Sequence, residues 1–345
     1  MRKNIMEQEL SFGPLLDKDG NLSQRGFAYS LIKDYRREDI KGMKSRIKEW
    51  DYYYIADNNY GIALTIDDNS YMGLVSLSVL DIQNGKEILT KSPIFWFPNG
   101  KTNLPSSSKD GDSIKIGKGY SFRFLNQSGK RHLLCEMKHA LGKEDFFCDI
   151  FLEESNPNSM VIATPFFKKR HFYYNQKINL LKAKGFFKLG EKRYEFQENA
   201  FGTLDWGRGV WTYKNTWYWS SANGISNGKR IGWNLGYGFG DTSAASENML
   251  FVEDKAYKFQ DVEFFIPKKG KKDDFLSSWE IKSESGDISL KFLPSFNRKS
   301  NTNALLIQSD QNQVFGSFYG YFLVDDKKLL IYGIKGFAEK VKNRW

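Results

Sequence analysis

The 345-residue sequence is poor in the residues that build disulfide and metal frameworks, with two cysteines and three histidines. Cys135 and Cys148 are too few for a disulfide framework, and they fit a reducing compartment. His132 lies three residues before Cys135, but no second ligand pair accompanies them. We therefore expect no zinc site.

Long hydrophobic runs are also missing. No window of about 18 uncharged apolar residues occurs, so the sequence predicts no membrane-spanning helix. The beginning of the chain has no apolar stretch of signal-peptide length; it reads MRKNIMEQELSFG. We expect a soluble, cytoplasmic protein.

The common catalytic motifs are absent as well. Without GxSxG or GxxxxGK[ST], a serine hydrolase and a P-loop nucleotide site are both disfavoured. The glycine-rich stretch at 232–241 precedes no helical pattern, so it is a poor dinucleotide fingerprint. Glycines in a strand favour a tight bend or a close approach by a ligand or backbone. We expect no metal or nucleotide cofactor.

The chain is basic, with 51 Lys and Arg against 41 Asp and Glu and a net charge of +10. An ordinary lysine-rich surface explains this charge, and so does attraction to anionic membranes or nucleic acid. Small basic clusters lie at 168–171 and 268–272, and no nucleic-acid-binding motif accompanies them. The sequence thus predicts no nucleic-acid partner and leaves a weak association with anionic membrane surfaces open.

Short strands separated by polar turns are the dominant pattern. Aromatic residues make up 16% of the chain, and they favour strands. Residues 51–68 read as strand, turn and strand, and segments of similar length follow them. We predict an all-β protein of antiparallel barrels or sandwiches, with no long helix and only a weak helical pattern around 30–47. The predicted units are an N-terminal arm (1–50) and two β-domains (51–200 and 201–345).

An aromatic block at 202–224 holds four tryptophans, two tyrosines and four glycines. Strand alternation places Trp217, Trp219 and Ser221 on one face. In the next strand, Trp233, Leu235 and Tyr237 alternate with Gly232, Asn234, Gly236 and Gly238, so one face is large and the other nearly bare. The bare face predicts a ligand cavity in a barrel, or else the aromatics fill a solid core.

Asp205 and Arg208 add an acid and a base to this block. Their motif, DWGRG, is interpreted as a glycine-rich loop in which they lie close together, either as a functional pair or as an ion pair that fixes the loop. Glu247 and Asn248 join the same site if their strands are adjacent. The candidate catalytic residues are Asp205, Arg208 and Glu247. The candidate substrate-binding residues are Trp206, Trp211, Trp217, Trp219, Trp233, Asn234, Tyr237 and Asn248.

The sequence resembles the bacterial DUF2804 family of unknown function over nearly its whole length. The resembling pieces are GPLLDKDGNL (13–22), KEWDYYYI (48–55), GTLDWGRGVW (202–211), WYWSSANG (217–224), GWNLGYG (232–238), SENMLFV (246–252) and GFAEKVKNRW (336–345).

More distantly, the segment before and through DWG is similar in layout to the carotenoid 1,2-hydratase and AttH-like group. Asp205 and Gly207 match that group's motif, whereas its histidine and glutamate are missing and Trp206 and Arg208 stand nearby. The resemblance implies two tandem lipocalin-like (calycin-like) barrels and a hydrophobic ligand of isoprenoid, polyketide or lipid type.

Three functions are consistent with these patterns. In the first, Asp205 stays protonated in a dry aromatic pocket and catalyses cyclisation, isomerisation or hydration without a cofactor. If Arg208 pairs with it, Asp205 is instead a base or an anchor, and Arg208 holds an anionic headgroup. The second function is a non-catalytic lipid or isoprenoid carrier. The third is a purely structural protein whose barrel interiors are fully packed with side chains.

Overall fold

The computed structural model describes residues 7–304 and 307–344, and these form an almost purely β structure. The only helical elements in this part of the chain are two short 3-10 turns, Arg37–Asp39 and Lys44–Arg46. They fall where the sequence has its weak helical pattern. None of the helices in these ranges is long and apolar enough to cross a membrane.

Within residues 7–304 and 307–344, twenty-seven strands are numbered in chain order. Those of the first half are β1 (Gly13–Pro14), β2 (Gly26–Ala28), β3 (Lys33–Asp34), β4 (Ile47–Ala56), β5 (Tyr60–Asp68), β6 (Met72–Asp81), β7 (Lys86–Lys91), β8 (Ile94–Trp96), β9 (Ser113–Gly117), β10 (Tyr120–Gln127), β11 (Lys130–Leu141), β12 (Glu144–Glu154), β13 (Met160–Pro165), β14 (Phe172–Leu189), β15 (Lys192–Glu195) and β16 (Phe201–Val210). Those of the second half are β17 (Lys214–Ser226), β18 (Lys229–Tyr237), β19 (Met249–Val252), β20 (Lys255–Lys258), β21 (Glu263–Phe265), β22 (Lys268–Lys269), β23 (Lys272–Asp273), β24 (Trp279–Lys282), β25 (Ile288–Ala304), β26 (Ile307–Val324) and β27 (Lys327–Arg344).

Two large curled sheets contain most of these strands. The fourteen-stranded sheet follows the order β7-β6-β5-β4-β16-β14-β12-β11-β10-β9, with β2, β8, β13 and β15 attached beside this path. The nine-stranded sheet follows the order β20-β19-β18-β17-β27-β26-β25-β24-β21. The chain leaves the first sheet after Val210 and enters the second at Lys214. The predicted division at 200/201 therefore lies before β16, which belongs to the first sheet.

The strand-turn-strand prediction for 51–68 is confirmed by β4 and β5. Asp57 closes their turn, because its carboxylate accepts hydrogen bonds from the backbone N–H groups of Asn59 and Tyr60 at 2.7 and 2.9 Å. Such side-chain bonds replace the ladder bonds that a turn gives up. The arm before β4 packs onto the first sheet through β2, which pairs with β13.

Each sheet has its own hydrophobic core, and two further apolar clusters lie between the sheets. The first core is built around residues such as Leu64, Phe122 and Trp206, and the second around Trp233 and Phe318. The sequence predicts a cavity inside a barrel, whereas the aromatic cavity of this structure lies at the interface of the two sheets.

Candidate functional site

A cavity of about 130 Å³ lies between the two sheets. Strands from the first sheet supply one wall, and strands and a loop from the second supply the other. The lining side chains are Trp50, Tyr173, Lys177, Asp205, Trp211, Trp217, Trp219, Phe239, Glu247 and Glu339.

Strand register brings the charged groups of this cavity together. Lys177 on β14 is the direct partner of Asp205 on β16, so their side chains share one face of the first sheet. In the second sheet, Trp219 on β17 is the direct partner of Glu339 on β27. The two pairs meet where the sheets face each other.

Lys177 and Asp205 form a buried ion pair. The Nζ atom of Lys177 lies 2.8 Å from Oδ2 of Asp205, and the side chains are 5% and 10% exposed. The side-chain amide of Asn175 donates to Oδ1 of Asp205 at 2.6 Å. The same ammonium lies 3.9 Å from the ring centroid of Trp219, which gives the cation an aromatic face.

Glu339 is a buried carboxyl on the opposite wall. Burial raises its pKa to about 7, although the Trp217 indole and the Lys177 charge act in the other direction. The indole N–H of Trp217 donates to Oε1 at 2.9 Å, and the Gln313 amide donates to Oε2 at 3.0 Å. A carboxyl with this pKa exchanges a proton near neutral pH.

Glu247 is a second carboxyl whose pKa burial raises. The amide of Asn234 donates to its Oε2 at 3.3 Å and to its backbone carbonyl at 2.7 Å. The Asn234 side-chain oxygen accepts the indole N–H of Trp219 at 2.6 Å. Asn234 therefore stands one layer behind the cavity and holds Glu247 and Trp219 in place.

Aromatic rings make up the rest of the wall. The ring of Trp50 stacks on that of Tyr173 with the ring centroids 6.1 Å apart, and it meets Trp211 edge-on with the centroids 5.2 Å apart. The ring centroid of Phe239 lies 4.6 Å from those of Tyr173 and Trp211. Within the described residues, the buried Nε1 of Trp211 has no hydrogen-bond acceptor.

Gly207 makes room for one of these rings. A Cβ atom at this position would lie 1.9 Å from Cζ2 of Trp50, so the ring can only lie flat over a glycine. Gly207→Ala is expected to displace Trp50, narrow the cavity and cost roughly 1–3 kcal/mol of folding free energy. Chemical denaturation and an apolar fluorescent probe would measure both effects.

Gly224→Ala is the matched control, because its Cβ would approach no atom closer than 3.2 Å. That atom is Cγ2 of Ile334, which has to shift by a few tenths of an ångström, so this variant should lose less than about 1 kcal/mol of folding free energy and keep the probe binding of the wild type. Equal behaviour of the two variants would mean that Trp50 moves aside without cost.

Arg208 and Trp206 lie away from the cavity, because DWGRG is part of β16 and not a loop. Alternation along the strand turns them to the face opposite Asp205. Arg208 forms a salt bridge with Asp51 at 3.1 Å, and its guanidinium lies 4.3 Å from the ring centroid of Trp206. The predicted contact between Asp205 and Arg208 is therefore wrong.

The predicted faces of β17 and β18 are confirmed. Trp217 and Trp219 line the cavity, whereas Trp233 belongs to the second core and Tyr237 packs against it. Asn248 is buried and accepts the backbone N–H of Gly236 at 2.9 Å, so it fixes the loop before β19. Of the residues predicted as a site, those that line the cavity are Asp205, Glu247, Trp211, Trp217 and Trp219.

Lys177 and Glu339 are the main residues that sequence reasoning missed. A sequence pattern could have identified Lys177. Asn175, Lys177 and Asn179 alternate along a strand that is otherwise largely apolar, and this predicts a buried polar stripe. No such pattern marks Glu339, because its segment resembles any strand with charged residues. The other cavity residues missed are Trp50, Tyr173 and Phe239. Within residues 7–304 and 307–344, no group of three or more His, Cys, Asp or Glu side chains is placed to hold a metal.

The two curled sheets define an all-β, lipocalin-like protein. Two solved structures share this fold. An AttH-like protein from Nitrosomonas europaea is 12% identical, with a TM-score of 0.52 over 86% of this chain and 92% of that one. Kievitone hydratase from Nectria haematococca is 13% identical, with a TM-score of 0.51 over 97% and 98% of the two chains.

The chain belongs to the family described as a domain of unknown function, DUF2804, whose model matches residues 6–345. This confirms the family resemblance seen in the sequence. No curated protein matches the chain in sequence.

Proposed function

We propose that the protein binds part of a hydrophobic small molecule in the cavity between the sheets and catalyses acid-base chemistry on it. The observation that carries the proposal is one cavity with aromatic walls, a Lys177–Asp205 ion pair and the carboxyl of Glu339. An apolar cavity of about 150 Å³ accommodates benzene, so the volume here suits one ring or one isoprene-sized unit. We take the substrate to be an isoprenoid, polyketide or lipid-like molecule, which is the class that the resemblance to the carotenoid 1,2-hydratase and AttH-like group implies.

Glu339 is the proton donor of this proposal. Its pKa of about 7 leaves a protonated fraction at neutral pH, and a carboxylic acid donates a proton to an alkene carbon or a carbonyl oxygen. Protonation of an alkene leaves a cation on the neighbouring carbon. Each aromatic face stabilises such a cation by about 0.5–2 kcal/mol.

Asp205 is the proton acceptor, and Lys177 orients it. Loss of a proton from the cation to Asp205 completes an isomerisation. In a cyclisation a second alkene attacks the cation, and the new cation then loses a proton to Asp205. In a hydration water attacks the cation, and the resulting oxonium ion loses a proton to Asp205. Hydration is included because kievitone hydratase, which shares the fold, carries that activity in its name. Each route returns one proton to the site, so no cofactor is consumed.

The proposal also includes a cytoplasmic location, in line with the two free, buried cysteines.

A non-catalytic carrier is the second candidate, and one observation favours it. The polar groups of the cavity already satisfy one another: Lys177 pairs with Asp205, and Glu339 accepts bonds from Trp217 and Gln313. A carrier needs such groups only to shape the cavity, whereas an enzyme must free them for its substrate.

The deciding experiment begins with native mass spectrometry of freshly purified protein, followed by solvent extraction of anything bound. We expect a defined apolar molecule. Incubation of that molecule with Asp205→Asn and Glu339→Gln should show turnover reduced about a hundredfold or more, with binding retained. Asp205→Asn also leaves the buried Lys177 without its counter-ion, so circular dichroism first confirms that this variant is folded.

Asp149→Asn is the matched control, because Asp149 pairs with His132 at 2.8 Å on the surface of the first sheet. This variant should behave as wild type. A bound molecule that the wild type returns unchanged establishes the carrier. A protein that binds no apolar molecule contradicts both candidates.

A further inference from the structure

A basic and apolar surface is formed by the tip of the β13–β14 hairpin and by the segment 41–43. The tip of this hairpin is residues 166–171, a tight loop in which the N–H of Phe166 donates to the carbonyl of His171 at 3.0 Å. Phe167 at this tip is 96% exposed. The next three residues, Lys168, Lys169 and Arg170, are all exposed.

A second segment adds to the same surface. Lys41 and Met43 line one groove with Lys168, Lys169, Arg170 and His171, and Asp19 is the only acidic residue in that lining. Met43 is 62% exposed. In the described part of the chain, Lys41, Lys168, Lys169 and Arg170 form no ion pair within 4.0 Å. We call Lys41, Met43, Phe167, Lys168, Lys169 and Arg170 the docking surface.

The backbone around these cations is fixed. Arg170 donates through its Nε to the carbonyl of Asp19 at 2.9 Å and through its backbone N–H to the side chain of Asn21 at 3.0 Å. Phe166 is buried, and its ring lies 5.2 Å from that of Phe239. The exposed tip is thus held by a core contact one residue away.

The docking surface borders the cavity. Phe239 lines the cavity and its ring contacts that of Phe166, while the backbone N–H of Trp211, another lining residue, donates to the carbonyl of Arg46 at 3.1 Å. The contact between Phe166 and Phe239 therefore joins the hairpin tip to one wall of the cavity. We propose that the docking surface binds anionic phospholipid membranes and sets the cavity against the lipid from which its ligand comes.

Charge and shape together favour a membrane over a dissolved anion. Clustered lysines and arginines are drawn to anionic headgroups, and an aromatic side chain that protrudes beyond them enters the interface below. A dissolved anion would use the cations but would leave Phe167 in water. The use of docking for ligand delivery rests on the proposed function, whereas the docking itself does not.

Sedimentation with vesicles tests the proposal on the full chain. The probes are vesicles of pure phosphatidylcholine and vesicles with one third phosphatidylglycerol, at low and high potassium chloride. We expect binding only to the anionic vesicles, and less of it at high salt. Lys168→Glu with Lys169→Glu should weaken this binding at least about tenfold, and Phe167→Ser should weaken it several-fold at unchanged charge.

Lys269→Glu with Lys271→Glu is the matched control, because it changes the net charge equally in the other exposed lysine cluster. It should retain most of the binding. Equal loss in both double variants would show a net-charge effect and overturn the docking surface. Binding that persists in Phe167→Ser and is displaced by single-stranded RNA would overturn the membrane in favour of a polyanion.

The extraction experiment described above separates the two proposals. Vesicle binding without any cavity ligand leaves the docking surface standing and removes the proposed function. A cavity ligand without vesicle binding does the reverse. Circular dichroism of each variant confirms that it is folded before its binding is scored.

Discussion

Arg208→Met is expected to destabilise the protein by about 3–5 kcal/mol, because it removes one partner of a fully buried ion pair. The Arg208 side chain is 0% exposed and lies 3.1 Å from Oδ1 of Asp51. Its two Nη atoms also donate to the carbonyls of Trp50, Gly207 and Pro105 at 2.8 Å. Methionine removes all these bonds, and of the side-chain bonds that the described residues give to Asp51, the one from the hydroxyl of Ser113 remains. Urea denaturation followed by tryptophan fluorescence measures the loss.

Arg25→Met is the matched control. Arg25 forms an ion pair with Asp241 at 3.5 Å, but its side chain is 52% exposed, so the loss should stay below about 1 kcal/mol. If Arg208→Met does not fold, Arg208→Lys provides the graded case, since lysine keeps the charge and loses the fork of donors. The opposite result is an Arg208→Met protein that is as stable as Arg25→Met but fails to bind the cavity ligand. It would contradict the structural role of Arg208 and show that this residue takes part in ligand binding.

Much of the fold could be predicted from the sequence because strands and their faces follow local rules. The alternation of Trp217 and Trp219 with Tyr218 and Ser220 fixes which side chains share a face, and the structure has the same faces. The turn at 57–59 is similarly local, since one aspartate closes it. What failed is DWGRG, where glycine was interpreted as a loop signal.

The glycines of DWGRG serve a strand and not a turn. Gly207 lies beneath the Trp50 ring, and a Cβ at Gly209 would lie 2.4 Å from the carbonyl oxygen of Phe172. The two groups that need this space, the Trp50 ring and the backbone of β14 at Phe172, are distant from DWGRG in sequence. The residues around DWGRG do not indicate these contacts. A glycine required by the close approach of another chain segment therefore looks the same in the sequence as a glycine required by a turn.

The site was harder to predict than the fold for a related reason. Its charged groups meet by strand register and by contact between the sheets. Asp205 finds its partner on β14, and Glu339 comes from the last strand of the chain. Distance along the sequence says nothing about either contact, whereas Arg208, three residues from Asp205, lies on the opposite face.

The stability of the wild-type protein is expected to fall between about pH 4.5 and pH 7 through Glu339. Its folded pKa of about 7 lies above the ordinary value of 4.5 because burial disfavours the carboxylate. The folded state therefore holds a proton that the unfolded state has released, and stability falls as pH rises through this window. The stabilisation is complete below about pH 4.5 and is lost above about pH 7. The shift corresponds to roughly 3 kcal/mol.

Glu339→Gln removes this titration and keeps the shape of the side chain. The variant should gain stability relative to the wild type as pH rises through the window, and the difference should level off above pH 7. Denaturation at closely spaced pH values measures it, with the exposed Glu191→Gln as control. Lys177, Arg298 and Asp205 act on the same carboxyl through their charges, so they move the midpoint of the pH transition but leave its direction unchanged.

A constant difference in unfolding free energy between variant and wild type across the range would show that Glu339 is ionised in the folded protein. It would then be no proton donor at neutral pH, and the acid would have to be Glu247, whose pKa burial also raises.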